Sequence, residues 1–289
     1  MSAQTRAEDL RNRLNSGESV LMPGVWDPLS ALIVQQSGFS TAFVSGFAVS
    51  GTLLGRPDVG YLTQTEMAEV AQRVCSSVPT LNVIVDADTG YGDPMTVRRT
   101  VELWEQAGAA GLFLEDQVWP KKCGHMDGKQ VVPREDWLAK LRAACDHREY
   151  LYVTARTDAR AAVSLDEAIE RAKMARDCGV DALFVEAPQS VEEMEAIANS
   201  LPDITLVANM VEKGKTPLLT PSELAEFGFR LIVSPLSLLL SAVQAMSTAA
   251  QRLADVGSLR TYLADVAPFD SFTDLVGLPE HLANEKRYS

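Results

Sequence analysis

The chain has 289 residues, 46% of them hydrophobic, and a formal net charge of −13. That length suits one α/β barrel and that composition a sizeable buried core, while the acidity excludes nucleic acid and anionic membrane as favoured partners. The four cysteines are widely spaced with no CxxC pair, the first 19 residues hold no apolar secretory core, and the apolar run at 231–242 is too short to cross a bilayer. A reduced, cytoplasmic protein is expected.

In chain order, a short amphipathic helix at 5–15 precedes a steady alternation. β-rich runs fall at 20–27, 41–47, 81–88, 111–117, 150–158, 182–187, 204–210 and 231–236. Helical stretches lie between them at 28–36, 65–76, 94–107, 134–147, 165–178, 191–200 and 221–227. The strands are continuous apolar runs, as parallel strands covered on both faces are. Gly108, Gly179 and Gly228 stand where a helix would end. The expectation is an α/β fold, a single (β/α)8 TIM-type barrel over 20–256, after an N-terminal helix within 1–19 and before a helical tail at 257–289. A doubly wound sheet is the rival, weakened by the lack of GxGxxG after the first strand.

Polar residues end the strands: Asp27, Ser45 and Gly46, Asp86 and Asp88, Glu115, Arg156 and Asp158, Glu186, Asn209, then Ser234 and Pro235. Barrel enzymes keep their chemistry at that rim, although any one Asp or Asn there could simply cap the next helix. Spacing of two puts Asp86 and Asp88 on one side of a strand, and with Glu115 they offer hard oxygen donors for Mg²⁺. Left without a metal, clustered carboxylates raise one another's pKa. The turn Gly90-Tyr91-Gly92 would let a ligand approach the backbone. Arg156 is a fork suited to a carboxylate. Asn209, Thr216, Ser45 and Gly46 offer further donors. The stretch 118–133, VWPKKCGHMDGKQVVP, is a polar βα loop. In it Lys121, Lys122 and His125 crowd cations around Cys123, which favours the thiolate.

KKCGH at 121–125, with VDADTGYGDP, LEDQVWPKKCGH, ARTDAR and ANMVEKGKTPL, resembles the isocitrate lyase/phosphoenolpyruvate mutase superfamily along nearly the whole chain. It is most similar to the petal-death-protein group of 2-alkylmalate and 2,3-dimethylmalate lyases, and more distantly to methylisocitrate lyases and carboxyphosphonoenolpyruvate mutases. The resemblance implies an Mg²⁺-dependent enzyme (or Mn²⁺ in its place). Asp86, Asp88, Glu115 and Asp58 would attend the metal. Ser45, Gly46, Phe47, Asp86, Gly124, Arg156, Glu186, Asn209, Thr216 and Pro235 would line the substrate. Cys123, as general acid on a closing loop, would work with Lys121, His125, Glu115 and Arg156.

The implied reaction cleaves a 2-hydroxydicarboxylate into a 2-oxo acid and a carboxylic acid. Phe47, where methylisocitrate lyases resemble Gly, argues for an alkyl substituent; Pro235, where oxaloacetate hydrolases look to have Ser, argues against that hydrolysis. Phosphonomutase chemistry of the carboxyphosphonoenolpyruvate type, or oxaloacetate hydrolysis, is the alternative. The resemblance further implies a homo-oligomer, a dimer of dimers that exchanges its C-terminal helices.

Overall fold

Eight short apolar segments become eight parallel strands that close on themselves in chain order. These are β1 (Val20–Val25), β2 (Thr41–Val44), β3 (Asn82–Asp86), β4 (Gly111–Glu115), β5 (Tyr152–Thr157), β6 (Ala182–Val185), β7 (Thr205–Asn209) and β8 (Phe229–Ser234). β8 closes the barrel on β1, with Leu231 opposite Val20 and Ser234 opposite Pro23. The computed structural model describes residues 2–124, 126 and 128–289. The barrel expectation therefore holds, and so do the three helix-ending glycines, each of which takes positive φ.

The helices follow in order. α1 (Ala3–Asn15) precedes the barrel; α2 (Pro28–Gln36), the short α3 (Gly46–Val49), α4 (Gln64–Ser77), α5 (Pro94–Ala107), α6 (Arg134–His147), the short α7 (Ala159–Ala162), α8 (Leu165–Arg176), α9 (Val191–Ser200) and α10 (Pro221–Glu226) form the outer ring. α11 (Ser237–Val256), α12 (Phe269–Leu275) and α13 (Leu278–Tyr288) end the chain. Sequence pattern did not foresee α3 and the π-helical turn Ser50–Leu54 that follows it. That segment has no long amphipathic repeat; Ser45 starts it by accepting the Ala48 N–H.

Side chains capping the outer ring come from the same βα junctions that carry the site. Asp27 caps α2 in a reciprocal box with Ser30, and Thr63 and Glu66 do the same for α4; such caps contribute about 1 kcal/mol each. Asp27 is thus the capping case among the strand-end carboxylates.

The barrel interior is filled, not hollow. Met22, Phe43, Ile84, Phe113, Tyr152, Phe184, Val207, Leu231 and Val233 pack together, with Leu10 and Leu14 of α1 closing the lower end. α1 is fastened there by Arg11, which donates to Asp181 (3.0 Å) and to the Leu151 carbonyl (2.7 Å). Arg6 likewise donates to the Pro79 and Gly108 carbonyls.

Candidate active site

The upper rim holds a cavity of about 50 Å³ lined by residues from seven of the eight strand ends and their loops. One pole is polar: Ser45, Asp58, Asp86, Lys121, Arg156, Glu186 and Asn209. The other is apolar: Phe47, Val211, Pro235 and Leu236. Beneath both lies a floor of Phe43, Phe113 and Phe184, with ring centroids 4.8 and 5.6 Å apart.

Arg156, the second-last residue of β5, is held on three sides. Its Nε donates to Asp158 Oδ2 at 2.9 Å and its Nη2 to Asp158 Oδ1 at 3.2 Å. Glu115 lies 3.4 Å from Nε and Glu186 3.5 Å from Nη2, and the guanidinium sits 5.4 Å above the Phe184 ring. Asn209 Nδ2 donates to both Glu186 oxygens at 3.2 Å. Burial alone would raise Asp158, but Arg156 and Lys129 together bring it below the ordinary carboxylate range.

The second charge group centres on Lys121. Its buried ammonium lies 2.6 Å from Asp58 and 2.7 Å from Asp88. Burial pushes Asp88 up to about 7, with Lys121 pulling against it and Asp86 and Asp58 adding to it. Burial also lifts Glu115 well above its usual value, opposed chiefly by Arg156. The expected rise is present, but desolvation leads and mutual repulsion is secondary. The cationic charge of Lys121 is turned toward these acids.

One reading needs correction. Asp88 is not on the strand beside Asp86: β3 ends at Asp86, and Asp88 turns away at φ 45°, giving its N–H to Asp86 Oδ1 at 3.0 Å. Proximity comes from the turn, not from strand alternation. Gly46, between the lining residues Ser45 and Phe47, gives its N–H to Asp86 Oδ2 at 3.3 Å. At Gly90 the demand for glycine comes from packing, because a Cβ would fall 2.4 Å from Val97 on α5. Asp88, Glu115 and Thr216 are buried, and the hydroxyl of Thr216 and Oε1 of Glu115 have no hydrogen-bond partner among the described residues. His125 lies outside the described residues.

The loop bearing Cys123 folds over this cavity. Its base is tied by Val118 N–H to the Gln130 carbonyl (2.8 Å) and Val132 N–H to the Asp116 carbonyl (2.9 Å). The Gln117 side chain grips Lys122 by its carbonyl and N–H at 2.8 and 2.9 Å. Cys123 and Gly124 thereby reach the cavity wall. A Cβ at Gly124 would lie 2.6 Å from Glu186 Cδ and 2.8 Å from Arg156 Nη2, so only glycine lets the loop settle this closely.

Among the described residues, no group of three or more His, Cys, Asp or Glu is arranged as a ready metal cage. The donor chemistry nevertheless fits a hard cation: an ammonium already sits between two of the carboxylates, Asp86 borders the same space, and Glu115 keeps an orphaned buried oxygen.

A barrel whose upper rim carries carboxylates, an arginine fork and a cysteine loop defines an enzyme site. The chain belongs to the phosphoenolpyruvate mutase/isocitrate lyase superfamily: the family model for phosphoenolpyruvate phosphomutase matches residues 10–254. The chain is 48% identical to the chloroplastic carboxyvinyl-carboxyphosphonate phosphorylmutase of Arabidopsis thaliana over 275 residues, 93% of this chain and 81% of that one. It is 45% identical to the petal death protein of Dianthus caryophyllus (93% and 85% covered) and 39% identical to the 2,3-dimethylmalate lyase of Eubacterium barkeri (98% of both).

Among solved structures, 2,3-dimethylmalate lyase superposes with a TM-score of 0.93 at 33% identity, covering 100% of this chain and 96% of that one. Oxaloacetate acetylhydrolase with 3,3-difluorooxalacetate gives 0.93 at 34% identity (98% and 97%), and phosphonopyruvate hydrolase with oxalate and Mg²⁺ gives 0.89 at 26% (100% and 99%).

The sequence marks the rim residues by their place at strand ends, but gives no role to the aromatic floor or to Lys129. The floor had a signal: Phe43, Phe113 and Phe184 each stand two residues before a rim residue, Ser45, Glu115 and Glu186, and so face the same interior.

Proposed function

We propose that the protein is an Mg²⁺-dependent carbon–carbon lyase that cleaves a 2-hydroxydicarboxylate of the 2-alkylmalate or 2,3-dimethylmalate type into a 2-oxo acid and a carboxylic acid. The observation that carries this is the two-poled cavity under the Cys123 loop, charged at Arg156, Ser45 and Asn209 and apolar at Phe47, Val211, Pro235 and Leu236. A carboxylate and its neighbouring oxygens suit the first pole; an alkyl substituent suits the second.

Asp86, Asp88, Glu115 and Asp58 would hold the ion, which when bound supplies Lewis acidity toward enolate charge. Arg156 orients a substrate carboxylate through its fork. The C2 hydroxyl gives up its proton and becomes the carbonyl of the 2-oxo acid. The C2–C3 electron pair stays on C3, and the Cys123 thiol protonates C3. The thiol then regains the proton that the hydroxyl released. Closure of the loop keeps water from the carbanion.

Incubation with Mg²⁺ and 2-alkylmalates, 2,3-dimethylmalate, methylisocitrate, oxaloacetate and phosphonopyruvate tests this reading. Release of 2-oxo acid from the first two is expected, and its absence there defeats the proposal. The 48% identity to a phosphorylmutase favours phosphonomutase chemistry as the second reading; a new phosphorus NMR signal in the phosphonate incubation would replace the first reading with it.

The same reading extends to assembly. α11 to α13 expose Val243, Met246, Val256, Phe269 and Phe272, apolar surface that a second copy would cover. Light scattering on the eluted protein should give a dimer or tetramer mass, and a monomer would dismiss it.

A further inference from the structure

Lys129 is one of three lysines in the Cys123 loop, and the reaction above gives it no task. Its side chain is fully buried, which is rare for a lysine without a dedicated partner. The ammonium lies 2.6 Å from Asp158 Oδ1 and also donates to the Gly124 carbonyl, across the tip of the loop. Asp158 is the carboxylate that holds the Arg156 fork. Asp158 is itself fixed: its N–H donates to Asp116 Oδ1 at 2.8 Å, and Asp116 takes Arg171 at 3.1 Å.

The loop base is tied separately, by backbone bonds and by Gln117. Among the described residues, two ammoniums cross the tip: Lys122 donates to the Gly128 carbonyl at 3.0 Å, and Lys129 joins the Gly124 carbonyl next to Cys123 to a rigid anion just past β5.

We infer that Lys129 is a positioning residue: a latch that fastens the Cys123 tip to Asp158, at the junction of β5 and α7, and so couples loop closure to the aim of Arg156. Were Lys129 to leave Asp158 as the tip lifts, a buried carboxylate would keep one cation in place of two, and Arg156 would no longer be aligned by a fully compensated partner. Closure and carboxylate binding are thereby set by one anion. This inference rests on the lyase reading for its role in turnover, but its physical content does not.

The test is alkylation by iodoacetamide, with peptide mass mapping, of wild type, Lys129→Met and Lys129→Gln. Cys123 lines the cavity under the loop, whereas Cys75 is buried in the core and reports global loosening. The ratio of Cys123 to Cys75 labelling should rise about tenfold or more in both variants, as expected for loss of a charge-assisted hydrogen bond that holds a local closure. Loss of a nearby cation by itself would slow the thiol, so electrostatics alone moves the ratio the other way.

An unchanged or smaller ratio in the soluble variants overturns the latch. With an alkylmalate that wild type cleaves, kcat should fall more than KM rises in Lys129→Met. If wild type cleaves none, the labelling ratio still decides the latch while the lyase reading alone fails.

Discussion

Arg156 and Asp158, two residues apart at the end of β5, clasp each other through two hydrogen bonds of 2.9 and 3.2 Å. The arginine is thus prealigned before any anion arrives, and binding need not be offset by ordering a long side chain. Arg156→Lys keeps the charge and loses the fork. We expect kcat/KM to fall about a hundredfold, as misplacement of a binding group does, with the rise concentrated in KM; steady-state kinetics with an alkylmalate check it.

Cys123 lines the cavity from the loop above it. Cys123→Ser replaces the thiol by a far weaker acid of nearly the same size. Cleavage should drop about a thousandfold, while circular dichroism and the thermal midpoint stay as in wild type. Activity within a few-fold of wild type would take Cys123 out of the proton transfer.

Gly124→Ala introduces a methyl group 2.6 Å from Glu186 and 2.8 Å from Arg156. The loop can escape this by lifting, so the fold should lose no more than about 1 kcal/mol. Turnover should suffer about tenfold to a hundredfold. Urea unfolding and kinetics on the same preparation separate the two effects.

Glu167 on α8 joins Arg134 and Arg171, and the Arg134 hydrogen bonds lower its carboxyl from 4.5 to about 2. A depressed acid contributes stability that is present above its unfolded pKa and is lost as pH falls through the folded one. Glu167→Gln should therefore cost about 1 kcal/mol at neutral pH, allowing for screening of a partly exposed group. That cost should shrink between pH 4.5 and about 2. Chemical unfolding at several pH values measures it, and a difference that grows toward acid would contradict it.

Much of this molecule could be read from its chain. Parallel strands buried on both sides leave continuous apolar runs, and the polar residues that interrupt each run at its end mark the rim, as Glu115, Arg156 and Asn209 do. What could not be read was the loop closure. Whether Lys121 turns toward Cys123 or toward Asp58 and Asp88 depends on chain segments 63 and 33 residues away meeting in space, and spacing along the chain carries no such information. The left-handed turn at Asp88 was hidden for a related reason: aspartate is tolerated there but does not demand it.

The plug that α1 makes in the lower mouth orders events during synthesis. Two of its arginines reach far along the chain, Arg6 to the Pro79 and Gly108 carbonyls and Arg11 to Asp181 and the Leu151 carbonyl. This helix therefore cannot dock fully until the chain has been made as far as Asp181, and the barrel is sealed at its base by a segment that precedes all eight strands.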